Sequence, residues 1–381
     1  MSPPTDPRIR RALETALTRG EVGVQVAAYL GDRLIVDAGI GTADEAGRGV
    51  EDAIFPIFSV TKAVLATAIH MQAERGLLDI DAPIASYWPE YGVNGKAAIT
   101  PRHVLTHRAG VPQMPPTITP ERLKDWDWIT GELANMTPLE PAGARSTYHA
   151  ISYGYLLGEV LRRTDPEGRM PCEFFRREIF APLGVDDFWV GLPAAEEPRV
   201  ARLTWGAAGP GAQIPRTPLR EAMMPSAIDV RPSIYNLPQV HQACIPASGG
   251  IGSARGVARF FSLLANRGAV SGRVLVSEAR LRACLQPRPN SDEVDSGIGI
   301  PVSIGVAGYQ LSGRRPGADP LLGGSTAILA HGGAGGSLGW ADLDSGLSVA
   351  ITHNRMFGAV NPEHHPFGPL ADAVRQVAAE L

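Results

Sequence analysis

Residues 55–76 read FPIFSVTKAVLATAIHMQAERG, and the change of pattern at Ser59 organises the rest of the chain. Phe55 to Phe58 is a short apolar run leading straight into a helical pattern, which stops at Gly76, a residue that takes positive φ without a Cβ clash. Ser59 and Lys62 stand three apart at the helix start and so share a face. A helix N-terminus presents outward N–H groups and a dipole that favours developing negative charge. A serine there has a base beside it and its own N–H as an oxyanion donor. The bland alternative is a helix start with a surface lysine one turn on, and chance supplies about 0.16 such pairs in a chain of this composition. Context weakens it: Lys62 is followed by Ala-Val-Leu-Ala-Thr-Ala, a face on which an idle ammonium is expensive. Lysine is also rare, since Lys62, Lys96 and Lys124 are the only three among 35 Lys and Arg residues.

Outward from this stretch, Asp6–Arg19 has Ile9, Leu13 and Leu17 at four-residue spacing, with Asp6 as N-cap and Pro7 in the first turn. Residues 23–38 read as two strands joined at Gly31-Asp32, a hairpin signal. From Leu77 to Pro246 prolines are frequent and clear alternating strands are absent. Pro101–Thr106 and Ser152–Arg163 look helical, and Gly206–Pro238 reads as a long irregular loop. From Ala247 the mixture resumes: a helix at Arg255–Asn266, strands at Ile298–Ser312, Ala327–His331, Leu338–Leu343 and Leu347–Thr352, and a last helix at Pro369–Leu381. The economical reading is one domain built from residues 1–76 and 247–381, with a mostly helical domain, 77–246, inserted between them.

Two further pieces could serve Ser59. Tyr148 stands at a loop-to-helix junction; alone it is a poor base, but a neighbouring Lys⁺ would stabilise its phenolate. Considered by itself it would pass for a half-buried aromatic, the better account of Tyr153 and Tyr155. His331-Gly332-Gly333-Ala334 ends a strand-like run, where glycines admit close approach of a substrate and the Ala334 N–H could complete an oxyanion hole. A bulged edge strand would look the same. Among the decoys, Gly335–Gly339 matches G-x-S-x-G around Ser337, but that elbow needs strand-turn-helix and the sequence continues as a hairpin. His103 and His107 lack the glutamate of a zinc helix, so His107 reads as a structural histidine, and His364-His365 falls in a proline-rich loop.

A chain of 381 residues, 44% hydrophobic and 19% charged, has ample material for a large core. With a net charge of −4 and no long block of either sign, nucleic acid and anionic membrane surfaces are unexpected partners. No run of apolar residues is long enough to span a bilayer, and the N-terminal sequence lacks a secretory h-region. Cys172, Cys244 and Cys284 are odd in number, far apart in sequence and without a C-x-x-C pair. Reduced thiols and a cytoplasmic location are the expectation.

Ser59-x-x-Lys62, then Tyr148, then His331-x-Gly333 resembles the three ordered motifs of the serine β-lactamase and penicillin-binding-protein family, which includes class C β-lactamases, DD-peptidases and β-lactamase-like carboxylesterases. LTHRAGVP (105–112), YHAISYGYLLGEVLRR (148–163), ASGGIGSARGVARFFSLLANRG (247–268) and HGGAGGSLGWAD (331–342) extend the resemblance over most of the chain. It implies an α+β fold, an antiparallel five-stranded sheet flanked by helices with an inserted helical domain. It also implies acylation at Ser59, acid–base work shared by Lys62 and Tyr148, an oxyanion site at the N–H groups of Ser59 and Ala334, and no cofactor or metal. Two departures stand out. Tyr148-His149-Ala150 replaces Tyr-x-Asn, and His331-Gly332-Gly333 replaces Lys-Thr-Gly, so an amide and a fixed cation that hold a β-lactam are missing. Both point to a carboxylesterase acting on small esters. The rivals are a β-lactamase or DD-peptidase, an amide hydrolase, an acyltransferase to an alcohol, and a non-catalytic ligand-binding relative.

Overall fold

The computed structural model describes residues 5–206, 216–358 and 361–381. The N-terminal helix α1, Pro7–Thr18, begins where expected: the Asp6 carboxylate accepts the Arg8 N–H at 2.8 Å. Then follow β1 (Gly23–Leu30), β2 (Arg33–Gly41), β3 (Phe55–Phe58) and α2 (Thr61–Glu74). The remaining strands are β4 (Phe188–Val190), β5 (Thr204–Trp205), β6 (Gly250–Gly252), β7 (Ala269–Val270), β8 (Arg273–Val274), β9 (Gln310–Leu311), β10 (Ile328–Gly332), β11 (Leu338–Asp342), β12 (Leu347–His353) and β13 (Arg355–Met356).

The main sheet runs β2-β1-β12-β11-β10-β9, all antiparallel, so strands from the two ends of the chain join in one sheet at the β1–β12 seam. It has six strands, not the expected five, because two residues at Gln310–Leu311 extend it beyond β10. These two are all that forms of the strand read at Ile298–Ser312. Side chains alternate across a strand, and here both faces are covered. Val24, Val26, Ala28, Trp340, Val349 and Ile351 pack beneath α1 and the C-terminal helix Gly368–Ala379. Ala27, Tyr29, Leu329, Ala341 and Ala350 face α2 and the helix Ala254–Ala265. That double burial explains why these strands read as near-continuous apolar runs.

A second, three-stranded sheet, β3-β6-β4, carries the chain into the site. The helix Ser152–Thr164 lies against α2, its Tyr153, Leu156, Leu157 and Val160 all buried. The stretch read as loop at Gly206–Pro238 holds short helices at Pro218–Met223 and Pro232–Tyr235, while residues 207–215 lie outside the described residues. No helix among the described residues is long and apolar enough to cross a membrane.

Candidate active site

β3 ends at Phe58, whose φ of 49° is unusual for a bulky residue. The bend is held from both sides: Thr61 Oγ1 donates to the Phe58 carbonyl at 2.5 Å and accepts the Gly250 N–H at 2.8 Å. Ser59 therefore leaves the strand on a sharp turn, partly exposed, with α2 starting two residues later.

Lys62, on the first turn of α2, is fully buried. Its Nζ lies 3.2 Å from Ser59 Oγ, 2.8 Å from the Ala150 carbonyl and 3.0 Å from the Ala247 carbonyl. It also stands over the rings of Tyr148 and Tyr153, 4.9 and 5.5 Å from their centroids. With no carboxylate paired to it among the described residues, desolvation holds its pKa well below the usual lysine value. The Ala247 carbonyl reaches it because Gly154 has no side chain: a Cβ there would lie 2.5 Å from the Ala247 nitrogen.

Tyr148 stands four residues before the helix Ser152–Thr164. Its hydroxyl hydrogen-bonds with Ser59, and burial pushes its pKa up, so the phenol is neutral. Its ring stacks on His107 at 4.3 Å between centroids. His107 is satisfied at one nitrogen only: its Nδ1 accepts the His149 N–H at 3.0 Å, its buried Nε2 has no partner, and burial keeps it neutral.

β10 delivers the third piece. Gly333 presses on β3, where a Cβ would come within 2.2 Å of the Ile57 carbonyl oxygen, so the Gly333-Ala334 backbone lies beside the strand that presents Ser59. His331 is fully buried, with Nδ1 2.8 Å from the Gly332 carbonyl and no partner at Nε2. Burial and the nearby Lys62 push its pKa down to about 3, so it supplies no fixed cation near neutral pH. As a substrate contact it is the least accessible member of the set. Ser337 is buried where β10 turns into β11, a hairpin without the helix that a nucleophile elbow needs.

One functional residue escaped the sequence reading. Asp295 is fully buried and accepts from Tyr148 N at 3.0 Å, Ser146 Oγ at 2.6 Å, Gly297 N at 3.0 Å and Ile298 N at 3.1 Å. Glu293 accepts the Ser146 N–H, and Ser296 Oγ meets Thr147 Oγ1 at 2.6 Å. The 293–298 loop thus holds the backbone that carries Tyr148. Asp295-Ser296-Gly297 is a turn signal, since aspartate bonds its own backbone two residues on, but nothing local pairs it with Tyr148. The carbonyls of Ala150 and Ala247 left no sequence signal at all, because any residue supplies one.

The family profile described as β-lactamase matches residues 9–371. An esterase/β-lactamase, LipL, from Mycobacterium tuberculosis is 32% identical over 375 residues, covering 94% of this chain and 83% of that protein. Among solved structures, a penicillin-binding-protein homologue from Caulobacter crescentus superposes with a TM-score of 0.83 at 31% identity over 99% of both chains. A family VIII carboxylesterase superposes with a TM-score of 0.85 at 26% identity, covering 99% of this chain and 98% of that one.

Proposed function

This chain belongs to the β-lactamase family, and from that premise we propose that it is a carboxylesterase that forms an acyl-enzyme at Ser59. The observation that carries the reading is the surroundings of Lys62 Nζ. A neutral amine has two N–H donors and one lone pair. The two carbonyls, Ala150 and Ala247, take the donors, which leaves the lone pair for the Ser59 hydroxyl. Lys62 then accepts the hydroxyl proton as Ser59 Oγ attacks the ester carbonyl. The oxyanion is held by the N–H groups of Ser59 and Ala334. When the tetrahedral intermediate collapses, the C–O bond to the alcohol breaks and Tyr148 gives its phenol proton to the leaving oxygen. The phenolate faces the Lys62 ammonium until water attacks the acyl group. Tyr148 takes the proton from that water, and Lys62 returns the first proton to Ser59.

Esters are favoured over β-lactams for two reasons. Ala150 offers no side-chain amide, and His331 is neutral by burial where a β-lactam carboxylate would want a cation. The missing cation contact costs about 1.5–3 kcal/mol, or roughly ten- to a hundredfold, and the missing neutral amide contact about 0.5–1.5 kcal/mol. The test is a series of nitrophenyl esters of graded acyl length beside nitrocefin, with intact-protein mass measured in the first turnover. Short-chain esters should turn over efficiently, nitrocefin poorly, and the acyl mass should sit on Ser59 and vanish in Ser59→Ala. Nitrocefin turnover equal to ester turnover would defeat the esterase preference. An active Ser59→Ala with an inactive Ser337→Ala would defeat the nucleophile assignment.

A further inference from the structure

Cys172 and Cys244, 72 positions apart in sequence, meet in the fold. Cys172 lies in the short helix Pro171–Phe174, and Cys244 follows the helix Pro238–His241 on the segment that runs to Ala247. The Cys172 N–H donates to Cys244 Sγ at 3.3 Å, and the two thiols hydrogen-bond to each other. Gly191 lies against both, since a Cβ built there would be 3.8 Å from Cys172 Cβ and 3.8 Å from Cys244 Cα. Both cysteines are free and half-buried as residues. Cys284 is different: it is buried, and its sulfur meets only the Arg280 carbonyl at 3.1 Å and His70 Nε2 at 3.9 Å.

We propose that Cys172 and Cys244 form a dithiol site that closes to a disulfide by exchange with low-molecular-weight disulfides. The Cys172 thiolate attacks one sulfur of the reagent, whose S–S bond breaks and releases one thiolate. Cys244 then loses its proton to solvent, and its sulfur attacks Cys172 Sγ and expels the second thiolate. Two protein thiols are oxidised and one small disulfide is reduced to two thiols. The order follows from the hydrogen bond that Cys244 gives Cys172, which lowers the Cys172 pKa, while burial raises that of Cys244. The crosslink closes residues 172–244 into a covalent ring and ties its end to the segment whose Ala247 carbonyl holds Lys62. A ring of that length restricts the unfolded chain strongly.

The test needs only the native protein and oxidised glutathione. After incubation, acid quench and denaturation, free thiols should fall from the three in the sequence to one. The mass should fall by two hydrogens, and non-reducing peptide mapping should join Cys172 to Cys244. The oxidised form should melt a few degrees above the reduced one, and dithiothreitol should reverse every change. Cys172→Ser should give no crosslink and at most a glutathione adduct on Cys244. Retention of all three thiols, at glutathione concentrations that oxidise a reference dithiol, would overturn the proposal. So would stable glutathione adducts without a crosslinked peptide. If the serine variant does not fold, the thiol count and peptide map of the unmodified chain still decide the matter.

Discussion

Lys62 is asked to be neutral in a place that leaves it little choice. Fully buried, it has two carbonyl dipoles and two ring faces around it but no counter-ion among the described residues. Because its pKa is lowered, the unprotonated amine becomes the main form well below the ordinary lysine range, and kcat/KM should rise with pH and level off there. An acid limb that levels only near the unperturbed value of 10.5 would contradict a Lys62 held neutral by desolvation. Lys62→Arg sharpens the point: a guanidinium stays charged, so the variant should be as inactive as Lys62→Ala. Lys62→Ala and Tyr148→Phe should each lower acylation by about 10²–10⁴-fold, and the double variant little further, since the Lys62 ammonium and the Tyr148 phenolate form side by side and residues that act as one unit are non-additive. Additive losses would separate their roles. Asp295 acts through Tyr148 and never touches the ester. Asp295→Ala should lower kcat by about ten- to a hundredfold with a smaller change in KM, since it loosens the acid and leaves the pocket walls in place. Asp295→Asn should restore most of the activity, because one oxygen still accepts the three N–H groups and Ser146 can turn its hydroxyl to accept from the new amide. Equal damage by Ala and Asn would argue against a positioning role. At this scale the sequence yields residues that are neighbours along the chain, as Ser59 and Lys62 are. Asp295 and Tyr148 are 147 positions apart, and a hydrogen bond between carboxylate and backbone leaves no pattern at that distance.

The end of β10 and the end of β3 must approach more closely than side chains allow, and Gly333 is where they do so. Gly333→Ala would drive a methyl into the Ile57 carbonyl and push the Ala334 N–H away from Ser59. Loss of one oxyanion donor typically costs about 10²–10³-fold in kcat. Gly333→Ala should fall in that range, with a far-ultraviolet spectrum close to that of the parent and a lowered melting temperature, because the methyl meets backbone and not a flexible side chain. Retained activity would mean that β10 does not supply the donor. The elements around this contact were legible because their patterns are strong. The turn at Gly31-Asp32, α1 with its Asp6 cap, α2 and the hairpin of β10 and β11 all form near their expected bounds. Residues 298–312 were not legible. Val302, Ile304, Tyr309 and Leu311 face the core from a series of turns while Ile300 is exposed, and a short apolar run does not say whether its backbone is paired.

Taken whole, the fold encloses several neutral histidines. His70, His149 and His331 are fully or almost fully buried, and burial lowers their pKa values to about 4, 4 and 3 from 6.5. Below pH 6.5 the unfolded chain binds protons that the folded chain refuses, so stability falls as pH falls until the folded pKa values are reached. At pH 5 each of the three costs about 2 kcal/mol. Urea midpoints at pH 7.5, 6 and 5 should therefore drop steeply, before the carboxylates begin to titrate, and a flat series would refute the buried-neutral assignment. The shared sheet was legible in outline, since apolar strands occur at both ends of the chain, but which strand lies beside which is fixed by long-range pairing and not by local pattern. The scarcity of lysine has a practical consequence of its own. Lys62 and Lys96 are fully buried, and Lys96 Nζ is capped by the Val93 and Met136 carbonyls, whereas Lys124 is exposed. Amine-directed coupling therefore has one reactive side chain on the folded protein. A succinimidyl dye or an aldehyde support will meet a single lysine, Lys124, beside the α-amino group, and leave the buried Lys62 unmodified.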